Sequence, residues 1–424
     1  MRCVSIWVVV LLAVATLPIN AATITVTTNA DSGAGSLREA IATANLSAGP
    51  HIINFDADYT INIVTTLPTI DVATTVTIAG NGWDRTIIDG GNPTGGAGGV
   101  QAFIIEGSLT LDGVGIQNCY HAFDGGAVKV EFSASFQFLN SRAEANTSNF
   151  YGGAVYSEGS VIVRDSLITG NQAYQGGGMY LAGISTVDDT TISANTATDL
   201  GGGGITIGFQ HLTVIGSLFQ GNQAGSMDGG GIQTWGSAVT KVVNSTLDGN
   251  SASEGGAISC KYGGSASFYS LTVTGNVATT GGGISCPDSE LEGSIVYRNT
   301  AGSGPDIWGT IESLGYNLIG ITTGATINGS TTGNIIGVDP LFGPLADNGG
   351  KTHTRALPLG SPAVDTGSPA CSGLTTDQRG YPRPDDGDMN GSYVCDIGAY
   401  ELNLTIFVDG FETGNTSAWS LTVP

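Results

Sequence analysis

Residues 151–205, YGGAVYSEGSVIVRDSLITGNQAYQGGGMYLAGISTVDDTTISANTATDLGGGGI, contain the repeat that decides the fold. Two glycines followed by a small or apolar residue recur there as GGAV at 152–155, GGGM at 176–179 and GGGI at 202–205. The same marker occurs four more times, as GGAV at 125–128, GGGI at 229–232, GGAI at 255–258 and GGGI at 281–284. Successive copies are 24 to 27 residues apart, a period typical of a solenoid.

Each interval has the composition of short strands joined by tight turns. Alternating runs such as Ala266–Phe268–Ser270 are typical of strands, and the Leu-x-x-Leu-x-Leu pattern of leucine-rich repeats is missing. About 25 residues making roughly three short strands form one coil of a parallel β-helix, whose inner face is buried only by stacking. We therefore predict an all-β, right-handed parallel β-helix of the pectin-lyase-like type. One inward apolar column would comprise Val128, Val155, Met179, Ile205, Ile232, Ile258 and Ile284.

A second marker places an Asn before each glycine pair, as in ITGNQA ending at Ala173. Stacked coils would align these amides at one corner, where each can bond to the next coil and satisfy buried polar groups. We interpret this column as structural. Its core members are Asn146, Asn171, Asn195, Asn222, Asn250 and Asn276, with Asn118 and Asn299 extending it at the two ends.

Cysteine positions add two expected pairs. Cys260 and Cys286 each stand two residues after the apolar column in neighbouring coils, so they would point inward, either as a disulfide or as packed thiols. Cys371 and Cys395 would close a loop of about 25 residues, which stabilises by about 3 kcal/mol. Cys119 is left over and is expected to be buried.

Composition and the N-terminus bear on location and partners. Residues 1–22 have a basic start, an apolar run and a small-residue end, which predicts a secretory signal peptide; an uncleaved membrane anchor is the alternative. No later segment is long and apolar enough to span a membrane. The chain has 13 Lys and Arg against 36 Asp and Glu, a net charge of −23, which excludes a nucleic-acid partner. We expect a secreted or bacterial cell-surface protein associated with the outer membrane.

Three stretches resemble known bacterial families. The glycine and Asn markers resemble the GGA[ILV] and FxxN repeats of chlamydial-type polymorphic outer-membrane proteins, with FQGN at 219–222 a full match. TVTTNADSGAGSLREAIATAN at 25–45 looks like the CSLREA domain of secreted β-helix proteins, with Gly35 in place of its Cys. GYNLIG at 315–320 and the stretch from 339 to CDIGAYEL at 395–402 are similar to choice-of-anchor Q proteins. These resemblances imply export and architecture but no reaction.

The resemblances and the repeat together predict five segments. A signal peptide (1–22) precedes a CSLREA-like cap with the first coils (23–100), where Ser36, Arg38 and Glu39 would begin a short helix. The repeats occupy 101–338, a choice-of-anchor Q-like region occupies 339–402, and 403–424 is a tail with a possible sorting or attachment role.

Enzymes of this fold cleave polysaccharides, so carboxylate pairs are candidate catalytic groups. The best pair is Asp188 and Asp189, to which neighbouring coils would add Asp165 or Asp199. The alternative is a solvated turn, because the basic residues of the coils fall in different registers. His211 has no evident partner in the sequence.

The segment DDGDMNG at 385–391 matches the start of a calcium loop. Asp386, Asp388 and Asn390 would supply oxygens, and Asp396 would replace the missing final Glu. The alternative is an acidic surface turn held by the Cys371–Cys395 disulfide.

From these observations we expect a non-catalytic surface β-helix that binds a polysaccharide or a protein of a host or neighbouring surface. Tyr151, Tyr174, Trp235 and Tyr262 would stack on sugars or simply pack. The alternative function is a polysaccharide lyase or glycoside hydrolase.

Overall fold

The structure, a computed structural model, describes residues 22–92 and 98–403. It is a parallel β-solenoid, which confirms the predicted right-handed parallel β-helix. The predicted signal peptide and C-terminal tail lie outside the described residues, apart from Ala22 and Asn403. In the central coils the chain passes in turn through four parallel sheets, which we call A, B, C and D.

Sheets A and B run along the whole solenoid. Sheet A has 13 strands: Thr23–Val26, Gly49–Phe55, Thr74–Ala79, Ser108–Asp112, Ser135–Leu139, Ser160–Arg164, Ser185–Asp188, His211–Ile215, Val239–Val243, Ser265–Tyr269, Ser289–Glu292, Gly309–Gly315 and Ala325–Gly329. Sheet B has 12: Tyr59–Asn62, Thr86–Asp89, Gly115–Gln117, Arg142–Glu144, Leu167–Thr169, Thr191–Ser193, Leu218–Gln220, Thr246–Asp248, Thr272–Thr274, Ile295–Tyr297, Leu318–Ile319 and Ile335–Ile336.

Sheets C and D complete the central coils. Sheet C has six strands: Tyr120–His121, Thr147–Ser148, Gln172–Gln175, Thr196–Gly201, Gln223–Asp228 and Ser251–Glu254. Sheet D has eight: Phe103–Ile105, Val128–Val130, Val155–Ser157, Met179–Leu181, Ile205–Ile207, Ile232–Trp235, Ile258–Lys261 and Ile284–Ser285. The other elements of residues 22–92 and 98–403 are the helix Leu37–Ala44, the antiparallel pair Leu345–Ala346 and Thr354–Arg355, and the 3₁₀ turn Cys371–Gly373.

The glycine markers form the turn from sheet C to sheet D. The apolar residues that follow them pair directly from coil to coil, from Val128 to Ile284, and each is at most 2% exposed. Gly152, the first glycine of its marker, has φ +65°, a left-handed conformation that glycine adopts without strain. A Cβ on Gly153, the second, would overlap the carbonyl oxygen of Gly177 in the next coil. Glycine is therefore needed for both conformation and close packing.

The Asn column is a continuous hydrogen-bonded ladder from Asn146 to Asn299. Each side-chain Nδ2 donates to the Oδ1 of the next Asn at 2.8–3.0 Å, and the last rung ends on Asp306 Oδ1. Asn118 does not belong to the ladder. Buried Cys119 occupies that position and its backbone N–H donates to Asn146 Oδ1, while Asn118 adopts φ +54° at the turn.

A second ladder stands at the corner between sheets A and B, and sequence analysis missed it. In this ladder, the backbone N–H of a corner Ser or Thr donates to the side-chain hydroxyl oxygen of the corner Ser or Thr in the next coil. Ser141 N donates to Ser166 Oγ at 3.1 Å, and Ser166 N donates to Thr190 Oγ1 at 3.3 Å. Ser217 and Ser245 continue it. Its sequence pattern is a Ser or Thr preceded by Asn, Asp or Gly in a left-handed conformation.

The two ends of the described chain add to the solenoid. At the start, Ser36 caps the helix by accepting from Glu39 N at 3.2 Å, and Glu39 accepts from Gly35 N at 2.6 Å. Leu37 and Ile41 of this helix join the main core.

The C-terminal region, residues 339–402, lies along the outside of the coils. Thr352 Oγ1 donates to Gly216 O at 2.7 Å, and Gly398 N donates to Gly293 O at 2.7 Å. Because this region packs against the side of the coils, a groove forms between the two.

Both expected cysteine pairs are disulfides in the structure. Cys260 and Cys286 join neighbouring coils with Cα atoms 4.5 Å apart. Cys371 and Cys395 join two segments of the C-terminal region with Cα atoms 5.5 Å apart.

Candidate functional site

In the described part of the chain, a groove lies at the corner between sheets A and B. It has a volume of about 670 Å³ and is bordered by loop 82–84 on one side and by Lys351 and His353 of the C-terminal region on the other. Trp83 is half-buried in its wall, and Asp165 and Asp189 line its floor. Sequence analysis missed Trp83, Lys351 and His353 because they are far from the coil carboxylates in sequence.

The two floor carboxylates occupy equivalent positions in adjacent coils. Asp165 N donates to Asp188 O at 3.2 Å, and both Asp165 and Asp189 are left-handed, with φ of +50° and +46°. Asn140, Gly216 and Asn244 occupy the same position in other coils. The backbone at this corner therefore accepts Asn, Asp or Gly, the residues that enter the left-handed region most readily.

Electrostatics distinguish the two carboxylates. Burial, followed by the charges of Asp188 and Asp165, raises the pKa of Asp189 to about 6. Asp165 instead forms an ion pair with Lys351, its Oδ1 lying 3.3 Å from Nζ. The groove thus holds one carboxyl that binds a proton near neutral pH and one carboxylate paired with a cation.

The other candidates from the sequence lie elsewhere. Asp188 turns to the outer surface of sheet A, where its Oδ2 accepts from Arg164 Nε at 3.0 Å. Asp199 lies beside Tyr174 rather than beside Asp189. His211 begins a strand of sheet A and is exposed. The coils add Asp165 as a neighbour of Asp189, and Asp188 and Asp189 together line a second pocket of about 200 Å³.

A cluster of aromatic rings covers the turn from sheet C to sheet D, on the other side of each coil. We call this cluster the aromatic face; its members are Phe123, Phe150, Tyr151, Tyr156, Tyr174 and Tyr180. The rings of Phe123 and Phe150 are parallel to within 9°, with centroids 6.1 Å apart, and are 62% and 46% exposed. The rings of Tyr151 and Tyr180 have centroids 4.8 Å apart.

Polar groups surround these rings. Tyr156 donates to Glu158 at 2.8 Å, and Asp199 lies beside Tyr174. Trp235 and Tyr262 form a separate pair, with centroids 4.4 Å apart, outside the aromatic face. The sequence suggested four aromatic residues for contact with sugars. Two of them, Tyr151 and Tyr174, belong to the aromatic face.

The acidic segment 385–391 folds back on itself beside Asp365. Oxygens of Asp365, Asp386 and Asp388 all lie within 4.8 Å of one another. The backbone N–H of Asn390 donates to Asp386 Oδ1 at 3.0 Å, and that of Gly391 donates to Asp386 Oδ2 at 2.9 Å. No ion pair involves these three carboxylates among the described residues.

Asp396 is not part of this cluster, contrary to the expectation from sequence. It is 2% exposed, and its Oδ1 accepts from Asp365 N at 2.8 Å while its Oδ2 accepts from Leu402 N. Burial and the neighbouring Glu401 raise its pKa. The third carboxylate of the cluster is that of Asp365 and not that of Asp396. Asp365 lies beside Asp386 and Asp388 although 20 residues separate it from Asp386 in the sequence.

The motif RGYPRP at 379–384 holds the C-terminal region together. Arg379 stacks between Tyr381 and Tyr400, with its Cζ 4.3 and 3.6 Å from the ring centroids, and pairs with Asp377 at 2.7 Å. Arg383 pairs with Glu401 at 3.2 Å, and both side chains are fully buried. The side chains of Arg379 and Arg383 therefore stabilise the C-terminal region through internal contacts.

Comparisons with known families match two parts of the chain. Residues 99–247 match the family described as right handed beta helix region. Residues 244–261 match the Chlamydia polymorphic membrane protein repeat. No curated protein matches the chain. Among the described residues, the helices are all too short or too polar to cross a membrane.

Proposed function

We propose that this protein is an exported β-helix of a bacterial cell surface that binds an uncharged polysaccharide along its aromatic face. The observation that carries the proposal is the row of rings across three consecutive coils, ending in the stacked and exposed pair Phe123 and Phe150. Monomeric proteins seldom expose clustered aromatic rings without a partner. Aromatic rings offer flat apolar surfaces, and hydroxyls beside them offer hydrogen bonds to a sugar.

The polar groups around the rings favour a neutral glycan. The chain carries a net charge of −23, and Glu158 and Asp199 border the aromatic face. Carboxylates at these positions would repel an anionic polysaccharide, whereas they accept hydrogen bonds from sugar hydroxyls.

Co-sedimentation with insoluble polysaccharides tests this proposal. We expect the purified protein to sediment with one or more of cellulose, chitin, xylan and β-1,3-glucan, and to stay in solution with cross-linked polygalacturonate. Binding to no neutral polysaccharide, with retention by a protein of a host or neighbouring surface instead, would replace the glycan with a protein partner.

The surface location rests on the match of residues 244–261 to the Chlamydia polymorphic membrane protein repeat and on the predicted signal peptide. Fractionation of cells that express the chain with its first 22 residues tests it. We expect the protein at the cell surface or in the medium and sensitive to added protease. Retention in the cytoplasm would contradict export.

We also propose that calcium binds between Asp365, Asp386 and Asp388. Their oxygens converge within 4.8 Å, and no ion pair offsets their charge among the described residues. Calcium prefers carboxylate and backbone oxygens in such loops. Asp386 and Asp388 keep the roles expected from sequence in this proposal, with Asp365 added and Asp396 removed. Asn390 instead orients the loop, because its Oδ1 accepts from Ser392 N and its Nδ2 donates to Asp388 Oδ2, both at 2.8 Å.

A further inference from the structure

The turns that lead from sheet D to sheet A differ in length from coil to coil. The turns 106–107 and 158–159 have two residues each, whereas the turn between them, 131–134, has four. Each short turn ends in a glycine, Gly107 or Gly159, where a Cβ would overlap a carbonyl oxygen of the preceding coil. The short turns therefore depend on glycine, and a recess lies on each side of Phe132 in the longer turn.

We call these two recesses the first and the second notch. The first notch, of about 450 Å³, lies between Val72 and Phe132 and is lined by Glu106. The second notch, of about 330 Å³, lies between Phe132 and Ile184 and is lined by Glu158. The three apolar side chains are 76%, 79% and 61% exposed in the order of the sequence. Each notch thus combines exposed apolar walls with a carboxylate.

The carboxylates of the notches carry charge that the fold does not neutralise. Glu131, which also lines the first notch, pairs with Lys129 at 2.6 Å. Glu106 and Glu158 belong to no ion pair among residues 22–92 and 98–403. The net charge of −23 would repel a second copy of this chain. A cationic partner is the complement, and apolar walls favour the aliphatic stems of Lys and Arg.

From this arrangement we propose that the corner between sheets D and A binds an extended cationic segment of a partner protein. Basic side chains of that segment enter the two notches, with their stems against Phe132 and their charged groups near Glu106 and Glu158. The proposal does not rest on glycan binding, because no ring of the aromatic face lines either notch. Glu158 borders both surfaces, so the test uses Glu106 and Phe132 instead.

The spacing of the notches favours one conformation of the bound segment. Glu106 and Glu158 each follow a strand residue that pairs with Val130, so their turns are two coils apart, or about 9.6 Å. In a polyproline II helix, residues i and i+3 lie on the same side of the chain about 9.3 Å apart. In a β-strand, residues i and i+2 on one side are only about 7 Å apart. We therefore expect Lys or Arg at every third position of a polyproline II segment.

Binding of fluorescent synthetic peptides to the purified protein, followed by anisotropy, tests the proposal. The probe peptide repeats Lys-Pro-Pro, and a second peptide has the same composition with its lysines adjacent. A third peptide is an alanine-rich helix with lysine at every seventh position. We expect the probe to bind more tightly than either comparison peptide. Its affinity should fall by about 10-fold between about 0.05 and 0.3 M NaCl, because salt screens the carboxylates.

Substitutions at exposed positions locate the binding surface. Phe132→Ala should weaken binding of the probe by about 10-fold, because it removes the wall shared by both notches. Glu106→Gln should weaken it by about 3-fold. The matched controls are Phe123→Ala in the aromatic face and Glu312→Gln at an exposed site of sheet A, and both should bind the probe as the parent does. All four side chains are exposed, so the melting temperatures should be unchanged.

Salt-sensitive binding that Phe132→Ala weakens and Phe123→Ala leaves intact supports the proposal. Absence of binding by every cationic peptide at low salt overturns it, as does equal binding to the parent and to Phe132→Ala. Tighter binding of the helical peptide overturns the extended conformation. Displacement of the probe by a neutral oligosaccharide overturns the protein partner and assigns the corner to a glycan. Loss of glycan binding at the aromatic face alters none of these outcomes.

Discussion

The central coils and the C-terminal region both bury polar groups, but they stabilise them in different ways. The coils repeat one interaction: Asn amides from Asn146 to Asn299 bond to each other from coil to coil. The C-terminal region uses interactions that occur once, such as the buried pair of Arg383 with Glu401 and Arg379 between two tyrosine rings. Damage to the ladder should therefore affect neighbouring coils, whereas damage to an ion pair should affect one region.

Arg383→Ala should have the largest effect on stability. Both partners of its ion pair with Glu401 are fully buried, and an uncompensated buried charge costs about 3–5 kcal/mol. Limited proteolysis with mass spectrometry should show cleavage within 339–402 while the coils stay intact. Arg85→Ala removes an exposed pair with Asp58 and should leave the stability of both regions nearly unchanged, because water screens such a pair. Simultaneous loss of coils and C-terminal region would mean that the two regions unfold as one unit.

Asn222→Ala should cost about 3 kcal/mol, because it removes the buried acceptor of the backbone and side-chain N–H groups of Asn195 and the side-chain donor to Ile192 O. Urea unfolding followed by circular dichroism measures it. Hydrogen exchange should show the loss of protection spreading to both adjacent coils. Asn328→Ala, at an exposed site of sheet A, is the control and should change little. Protection lost in the mutated coil alone would contradict a cooperative ladder.

Calcium should stabilise the C-terminal region and leave the coils unaffected. Free calcium at about 100 times its Kd would add about 2.7 kcal/mol to the free energy of unfolding of that region. The measurement is thermal unfolding with calcium or with a chelator. Asp388→Asn should abolish the difference, and Asp58→Asn, at an exposed acidic site outside the cluster, should leave it intact. An equal calcium effect in both variants would place the ion elsewhere.

Stability should fall by about 1 kcal/mol as pH rises from about 4 to 6, through the contribution of Asp189. Its pKa rises from an ordinary 3.8 in the unfolded chain to about 6 when folded, so the folded protein binds the extra proton in this range. Asp189→Asn should flatten this part of the pH profile and raise the melting temperature above pH 6. An unchanged profile would show that Asp189 titrates normally.

Sequence reasoning predicted the periodic part of this molecule well. The column from Val128 to Ile284 depends on local patterns that each coil repeats, so one sequence displays it several times. The substitution of Cys119 for the first Asn was missed because Asn118 stands one residue away, and a shift of one residue changes which side chain points inward.

The groove could not be predicted in the same way. Lys351 meets Asp165 across 186 residues of sequence, and no repeat indicates where the C-terminal region packs on the coils. Asp365 joins Asp386 and Asp388 for the same reason, which is why the sequence pointed to Asp396 instead. A contact that occurs only once in a fold produces no repeating sequence pattern from which it could be predicted.

The most direct test of glycan binding is a calorimetric titration of a soluble oligosaccharide, cut from the polysaccharide that co-sediments, into the protein and two variants. Loss of each exposed ring should cost about 1 kcal/mol, so Phe123→Ala with Phe150→Ala should weaken binding by about 30-fold. Phe132→Ala removes a ring that is 79% exposed outside the aromatic face and should bind as the parent does. Equal affinities for all three proteins would contradict the aromatic face as the binding surface.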